Sequence, residues 1–395
     1  MLSQMKWIRR GIAALMVVAL LCGSAWAKKP PKDDDPPLEP DPPPVKYEIT
    51  WVDFDVGDMV VFGMNDNGDV VGYVQSSGLY LDDPYSSSTF AYVYTPERGV
   101  MDLNTLLPED SGWYLAYAAD INNDGQIVGK GYRYGDERSR AFLYTPATED
   151  GIPAIEELCP LAKDDDHALA LQINKSGHVL GRIRDADGVN CVYLFKDEEV
   201  IPVFQSTAGT PILPRGLSDS DQILLDQDNL TMIRLYPDDE PEYFYDVHFS
   251  GFTNNLNNNG EFAGSKLFEV PINKVKTKTV WRAIRRDGVA ALDLGAGDDS
   301  VGLGINNHGD VVGRLPRSEE LTLNGFVYLQ KFQQLVPLDD AVVGDPADVE
   351  CWLLPGVNIS PEVTNDTGQI AGTLRTSGLY YTETTTIAFV LTPVL

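Results

Sequence analysis

One eight-residue motif recurs along this chain, and it constrains the fold more than any other feature. It reads Asn65-Asp-Asn-Gly68-Asp-Val-Val-Gly72 at its first occurrence and Asn122-Asn-Asp-Gly125-Gln-Ile-Val-Gly129 at its second. The spacing is kept at Asn174, Gly177 and Gly181, at Asn257, Gly260 and Gly264, at Asn306, Gly309 and Gly313, and at Asn365, Gly368 and Gly372. A degenerate copy, Ser218-Asp-Ser-Asp221-Gln-Ile-Leu-Leu225, lacks the Asn and both glycines but keeps the apolar pair after the turn. First and last copies lie 300 residues apart over six intervals, a mean period of 50. Periods of this length mark arrays of supersecondary units that bury their apolar faces against one another.

The motif describes a β-hairpin. An Asn ahead of a tight turn accepts a hydrogen bond from the backbone two residues on, and a Gly three residues later takes the left-handed conformation that a type I turn with a bulge requires. Asp221 can adopt the same conformation at some steric cost. The second Gly falls inside the returning strand, where it weakens pairing unless something approaches closely. The expectation is a packing contact with the neighbouring unit.

Two further elements follow each hairpin. Ala91-Tyr-Val-Tyr-Thr-Pro96 matches Ala141-Phe-Leu-Tyr-Thr-Pro146, with weaker versions in the other units. Apolar runs of this kind read as strands covered on both faces. Short segments such as Val100-Met-Asp-Leu103, Ile155-Glu-Glu-Leu158 and Ala291-Leu-Asp-Leu294 come next. Each unit thus offers four strands, the size of a propeller blade. The last unit stops after its third strand, whereas Trp51-Val-Asp-Phe54 precedes the first hairpin as an orphan fourth. Lending that strand to the last unit would pair both loose edges, which otherwise invite aggregation. The expected fold is therefore all-β, a seven-bladed β-propeller over residues 47–395, closed by its N-terminal strand. An open solenoid has the same period but leaves the complementary ends unexplained.

Ile-Asn-x-x-Gly-x-Val-Val-Gly followed by Ala-Phe-Leu-Tyr resembles the HAF repeats, extracellular repeats of bacteria named for a His-Ala-Phe tripeptide. Gly304-Ile-Asn-Asn-His-Gly309 and Arg140-Ala-Phe-Leu-Tyr144 carry the likeness, although no His precedes Ala-Phe in this chain. The resemblance covers residues 51–395 and implies a secreted or surface protein, without catalytic residues to carry over.

The N-terminus agrees with export. Lys6, Arg9 and Arg10 precede an apolar stretch from Ile12 to Leu21, and Ala25-Trp26-Ala27 supplies a cleavage site, so residues 1–27 read as a signal peptide. Cys22 follows Leu21 rather than the small residue of a bacterial lipobox, which leaves lipidation a weaker alternative. Residues 28–46, rich in Pro and Asp, read as an extended tether without a core. Lys and Arg number 30 against 59 Asp and Glu, a formal charge of −29, and removing the signal's three cations takes it to −32. Such a balance excludes nucleic acid and anionic membranes as partners, because binding phosphate requires Lys and Arg.

Signs of chemistry are sparse. Asp120, Asn122 and Asp124, followed by Gly125, open like a calcium loop, but Gly131 stands where an EF-hand needs Glu, and Val128 replaces the ninth-position acid of propeller calcium cages. The plain hairpin reading is preferred, with no cofactor expected and calcium as the minor alternative. The acidic runs Asp164–Asp166, Asp238–Glu240 and Asp298–Asp299 read as solvated loops. None of His167, His178, His248 and His308 has metal-ligand spacing, and no Gly-x-Ser-x-Gly or Cys-x-x-Cys is present. Cys159 and Cys191 could bridge adjacent blades, with Cys351 left over. Trp113, Trp281 and Trp352 are candidates for stacking on sugars or for packing between sheets. No catalytic pair can be named. The functional expectation is an exported, monomeric, non-enzymatic repeat protein binding a surface glycan or an envelope protein through its loops. The alternatives are a secreted polysaccharide hydrolase or lyase and a structural envelope protein.

Overall fold

The structure is a computed structural model. It describes residues 45–394 except 55–56, 76–88, 148–150, 159–166, 186, 208–209, 211, 228–230, 236–240, 246, 249–254, 274–275, 288–289, 316–323, 346–347, 349–356 and 377–384. The proposed signal peptide and all of the tether but its last two residues lie outside the described residues, and Lys46–Leu395 form one compact unit.

Seven antiparallel sheets follow one another along the chain, and the architecture is a seven-bladed β-propeller. Blade 1 holds Asp58–Met64, Val70–Gln75, Thr89–Thr95 and Gly99–Asp102. Blade 2 holds Trp113–Ile121, Ile127–Arg133, Arg140–Thr145 and Ala154–Glu157. Blade 3 holds His167–Ile173, Val179–Arg184, Asn190–Lys196 and Glu199–Gln205. Blades 4, 5 and 6 begin at Ile212, Val247 and Val301, each with four strands in sequence order. The degenerate motif at Ser218 turns between the first two strands of blade 4.

Blade 7 contains Val357–Thr364, Ile370–Thr376 and Thr385–Val394, and its fourth strand is Lys46–Val52 from the other end of the chain. That strand runs antiparallel to Thr385–Val394 in unbroken register from Lys46 opposite Val394 to Val52 opposite Ala388. Strand exchange therefore closes the ring as expected, starting several residues earlier than Trp51. Val342–Val343 adds a short parallel fifth strand on its outer side. Tyr47, Ile49 and Val52 are buried. At about 1.5–3 kcal/mol per fully buried large side chain, closure stabilises the ring by several kcal/mol before its backbone bonds are counted.

The core lies between blades. Val71, Val93 and Leu103 of blade 1 pack on Trp113, Leu115 and Phe142 of blade 2. Met59, Val61 and Tyr92 of blade 1 meet Val52, Val363, Ala371 and Val390 of blade 7 across the closure. Blade 5 departs most from the pattern, with a first strand of two residues, Val247–His248, and a single bridge between Leu256 and Phe262.

Each motif turn has the expected backbone. Gly68, Gly125, Gly177, Gly260, Gly309 and Gly368 all have φ between 75° and 81°, and Asp221 stands at 61° in their place. The second glycine has a different role from the one expected. A Cβ on Gly129 would sit 1.9 Å from the carbonyl oxygen of Tyr117, and one on Gly72 would sit 1.8 Å from that of Val60. Both carbonyls belong to the facing strand of the same blade, which carries a bulge just before the turn. The glycine makes room for that bulged strand rather than for a neighbouring unit.

Candidate functional site

The seven hairpin turns ring one mouth of the central channel, and the motif Asn holds them to one another. Asn65 Oδ1 accepts from the backbone N–H groups of Asn67 and Asp69, both at 3.0 Å, while its Nδ2 donates to the carbonyl of Asn122 in the next blade at 3.0 Å. Asn122 reaches Asn174, Asn174 reaches Ser218, Asn257 reaches Asn306, Asn306 reaches Asn365, and Asn365 returns to Asn65, all at 2.9–3.3 Å. The one motif position without this donor is Ser218. All six asparagines are buried, so each bond replaces one that water would otherwise make.

A second ring lies above the first. The residue after each Asn offers its side chain to the preceding blade: Asp66 N donates to Asn123 Oδ1, Lys175 N to Asp219, Asp219 N to Asn258, Asn258 N to Asn307, Asn307 N to Asp366, and Asp366 N to Asp66, at 2.8–3.0 Å. Lys175 is the one member that cannot accept, and the chain of bonds is interrupted there. The rim carries three carboxylates, Asp66, Asp219 and Asp366, against one ammonium, Lys175.

Beneath this rim is a cavity of about 390 Å³ lined from all seven blades. Its lining includes the Asn and Asp residues of the turns and, just before the turns of blades 2 to 6, the buried residues Ile121, Ile173, Leu217, Leu256 and Ile305. Asp120 also lines it. Burial pushes the Asp120 carboxyl up to about 7, although the N–H groups of Ile173 and Ile121 hydrogen-bond to it and favour the charged form. Burial likewise raises Glu362, against the opposing effects of the Ser360 hydroxyl and the Arg314 charge.

The calcium-like residues do not present a free set of oxygens. Both carboxylate oxygens of Asp120 accept backbone N–H groups, and Asn122 Oδ1 accepts from Asp124 N and Gln126 N. Among the described residues no three His, Cys, Asp or Glu side chains gather as a metal site. Asp298 is an ion-paired residue rather than a merely solvated one. It accepts from Lys278 and Arg282, which hold its carboxyl below the usual range. Asp164–Asp166 and Asp238–Glu240 lie outside the described residues.

The histidines are scattered. His178 Nδ1 meets Asp221 at 2.7 Å, His308 Nε2 meets the carbonyl of Asp366, His248 packs on Trp281, and His167 Nδ1 accepts from Ser139 N. Trp113 is buried edge-on to Phe142 and is not available to a sugar, while Trp352 lies outside the described residues. Cys191 is half-buried on the third strand of blade 3. Its suggested partner Cys159 lies outside the described residues, as do Cys22 and Cys351.

Local reasoning missed three things here. The amide half of each motif Asn reaches a partner 44 to 59 residues away, or 300 at the closure. The position after it is Asp, Asn or Lys in all seven copies, a signal visible in the sequence but unexplained without the ring. Asp221, which replaces the turn glycine of blade 4, is a hub that accepts from Asn174, His178 and Lys196 and so joins blades 3 and 4.

No family model matches the chain, and no curated protein matches it. Solved structures do. The β-propeller domain of the Trilobed protease from Pyrococcus furiosus, described as having an open velcro topology, aligns with a TM-score of 0.50 and 12% identity over 82% of this chain and 92% of that one. An acylaminoacyl peptidase in complex with Z-Gly-Gly-Phe-chloromethyl ketone aligns at 0.49 and 12%, and a puromycin hydrolase at 0.45 and 13%, each over 85% of this chain and 52% of its own. This chain thus spans about half the length of those two enzymes. At such identity the likeness defines a class by fold, the β-propeller. The first of these is the propeller domain of a protease, and it corrects the expectation of a non-enzymatic glycan- or protein-binding repeat protein. Among the described residues no helix is long and apolar enough to cross a membrane.

Proposed function

We propose that this chain is a peptidase-associated propeller whose acidic channel mouth engages extended polypeptide. The observation that carries the reading is the mouth itself, a cavity of about 390 Å³ framed by a bonded ring of Asn and Asp side chains. A mouth of this size admits an extended chain but not a folded domain, and the rim carboxylates, each already hydrogen-bonded within the ring, act on it through their charge. Asp66, Asp219 and Asp366 outnumber Lys175, so cationic segments and free amino termini are preferred over acidic ones. The peptidase neighbours support the polypeptide class of ligand. The signal-like residues 1–27 support export, and the motif's likeness to HAF repeats agrees with it.

Fluorescence anisotropy with a labelled basic peptide, its charge-reversed counterpart and its N-acetylated form tests this. The basic peptide binds, acetylation weakens it, and the double variant D66N/D366N weakens it at least fivefold at low salt. Equal binding of basic and acidic peptides, or binding unchanged in the double variant, would refute the reading.

A further inference from the structure

A second cavity, of about 340 Å³, lies between blades 2 and 3 at the ends of their second strands away from the asparagine turns. Lys130 and Tyr132 alternate on Ile127–Arg133 and so share one face, as do Arg182 and Arg184 on Val179–Arg184. All four line the cavity, with Glu137 as the one acidic residue beside them among the described residues. The chain as a whole carries −29, yet the described residues of this cavity set three cations against one acid.

None of the three is neutralised among the described residues. Lys130 Nζ stands 4.1 Å from the centre of the Tyr117 ring and makes no ion pair among the described residues. Arg182 Nη1 donates to the carbonyl of Ile212, which anchors the guanidinium without cancelling its charge. Burial lowers both Lys130 and Arg182, the latter aided by the Arg184 charge, as expected of cations held together in a partly dry site.

The repeat itself supplies the control. Lys130 and Arg182 occupy the position after the second motif glycine. Blades 4 and 6 have Asp226 and Arg314 there, and each faces an opposite charge: Asp226 pairs with Arg215 at 2.9 Å, and Arg314 acts on Glu362. The fold therefore does not need bare cations at this register. Only blades 2 and 3 place them side by side.

The remaining walls define the ligand. Ser139 N donates to His167 Nδ1 at 3.1 Å, which leaves the ring proton on Nε2 as a further donor. Leu169 and the Tyr132 ring supply apolar surface, and the volume exceeds what an inorganic anion fills. We propose that this cavity binds a carboxylate carried on a small apolar body, held by Arg182, Arg184 and Lys130. A free organic acid and the C-terminal residue of a peptide present the same group. The inference stands apart from the channel reading and does not depend on it.

Calorimetric titration of the full chain at low salt tests it with four probes: N-acetylphenylalanine, its amide, the tripeptide Ala-Ala-Phe and inorganic phosphate. The free acid binds, the amide binds at least tenfold more weakly, and phosphate does not compete at equal concentration. Ala-Ala-Phe binding as tightly as the acid assigns the site to peptide C-termini, whereas binding of the acid alone assigns it to a free metabolite. K130Q and R182Q each weaken the acid at least tenfold. The exposed Glu137→Gln tightens it about twofold to threefold, an effect that misfolding cannot produce. No heat with the acid at millimolar concentration, equal binding of acid and amide, or affinity unchanged in all three variants would overturn the proposal.

Discussion

Replacing one motif asparagine should destabilise the whole ring, and Asn306 is the cleanest choice. Its Oδ1 accepts from His308 N at 3.0 Å and Asp310 N at 2.9 Å, and its Nδ2 donates to Asn365 O at 3.0 Å. The residue is 3% exposed, so Asn306→Ala leaves two N–H groups of the turn without an acceptor and one inter-blade bond unmade. Two buried N–H groups left unpaired at about 1–3 kcal/mol each, and a lost hydrogen bond at about 1 kcal/mol, put N306A at roughly 3–7 kcal/mol. Blade 4 shows how much a shorter side chain can rescue. Ser218 Oγ still accepts from Gln222 N at 3.0 Å, the same i+4 bond, but has no amide to offer the next blade. Asn306→Ser should therefore cost about 1–2 kcal/mol less than N306A, and Ser218→Asn should stabilise by about 0.5–1 kcal/mol by supplying the missing clasp. Urea unfolding followed by circular dichroism resolves these differences better than heat, because in a body of this size 1 kcal/mol moves the melting point by only about 1–2 °C. N306A within about 0.5 kcal/mol of the native protein, or N306A and N306S equally damaging, would show that the ring of clasps does not hold the blades.

The other expectations concern the backbone, the closure and the channel carboxyl. Gly129→Ala drives a methyl group to 1.9 Å from the Tyr117 carbonyl and should cost at least about 3 kcal/mol, whereas Gly99→Ala, at φ 73° with open space around it, should cost about 1 kcal/mol in the same urea assay. Deleting residues 1–52 removes the fourth strand of blade 7 and should give aggregation on gel filtration, while deleting residues 1–44 should leave a folded monomer. Asp120 has its folded pKa raised to about 7 from an ordinary 3.8, so the native state holds its proton longer than the unfolded chain does. Its contribution to stability is most favourable below pH 4 and falls as pH rises from about 4 to about 7. Carbon-detected NMR of the Asp120 carboxyl should show a midpoint near 7, and a midpoint below 5 would contradict the burial argument.

Much of the fold could be read from the sequence because the repeat is written in residues whose backbone needs are specific. A glycine three residues after an asparagine marks a left-handed turn, and six such turns at φ 75–81°, with Asp221 at 61° in the seventh, count the blades. The closure was legible because a chain missing its last strand and carrying a spare first one has a single economical pairing. What escaped is what lies between repeats. Nothing local in Asn65 says that its amide meets Asn122, and nothing around Gly129 says that a bulge brings the Tyr117 carbonyl against it. The cationic cavity is hidden for the same reason, since Lys130 and Arg182 become neighbours only when blades 2 and 3 stand side by side. Function was least legible. Charge and a signal-like N-terminus suggested surface binding, whereas the propeller domain that aligns at a TM-score of 0.50 comes from a protease.

The channel reading is tested most directly by photo-crosslinking. A basic peptide carrying a benzoylphenylalanine near its amino terminus is irradiated with the full chain, and the adducts are mapped by mass spectrometry. Adducts should concentrate on the rim residues Asn123, Lys175, Asn258 and Asn307, disappear with excess unlabelled peptide, and fall sharply in D66N/D366N. Adducts spread over the outer strands, or left undiminished in the double variant, would contradict a polypeptide-engaging mouth.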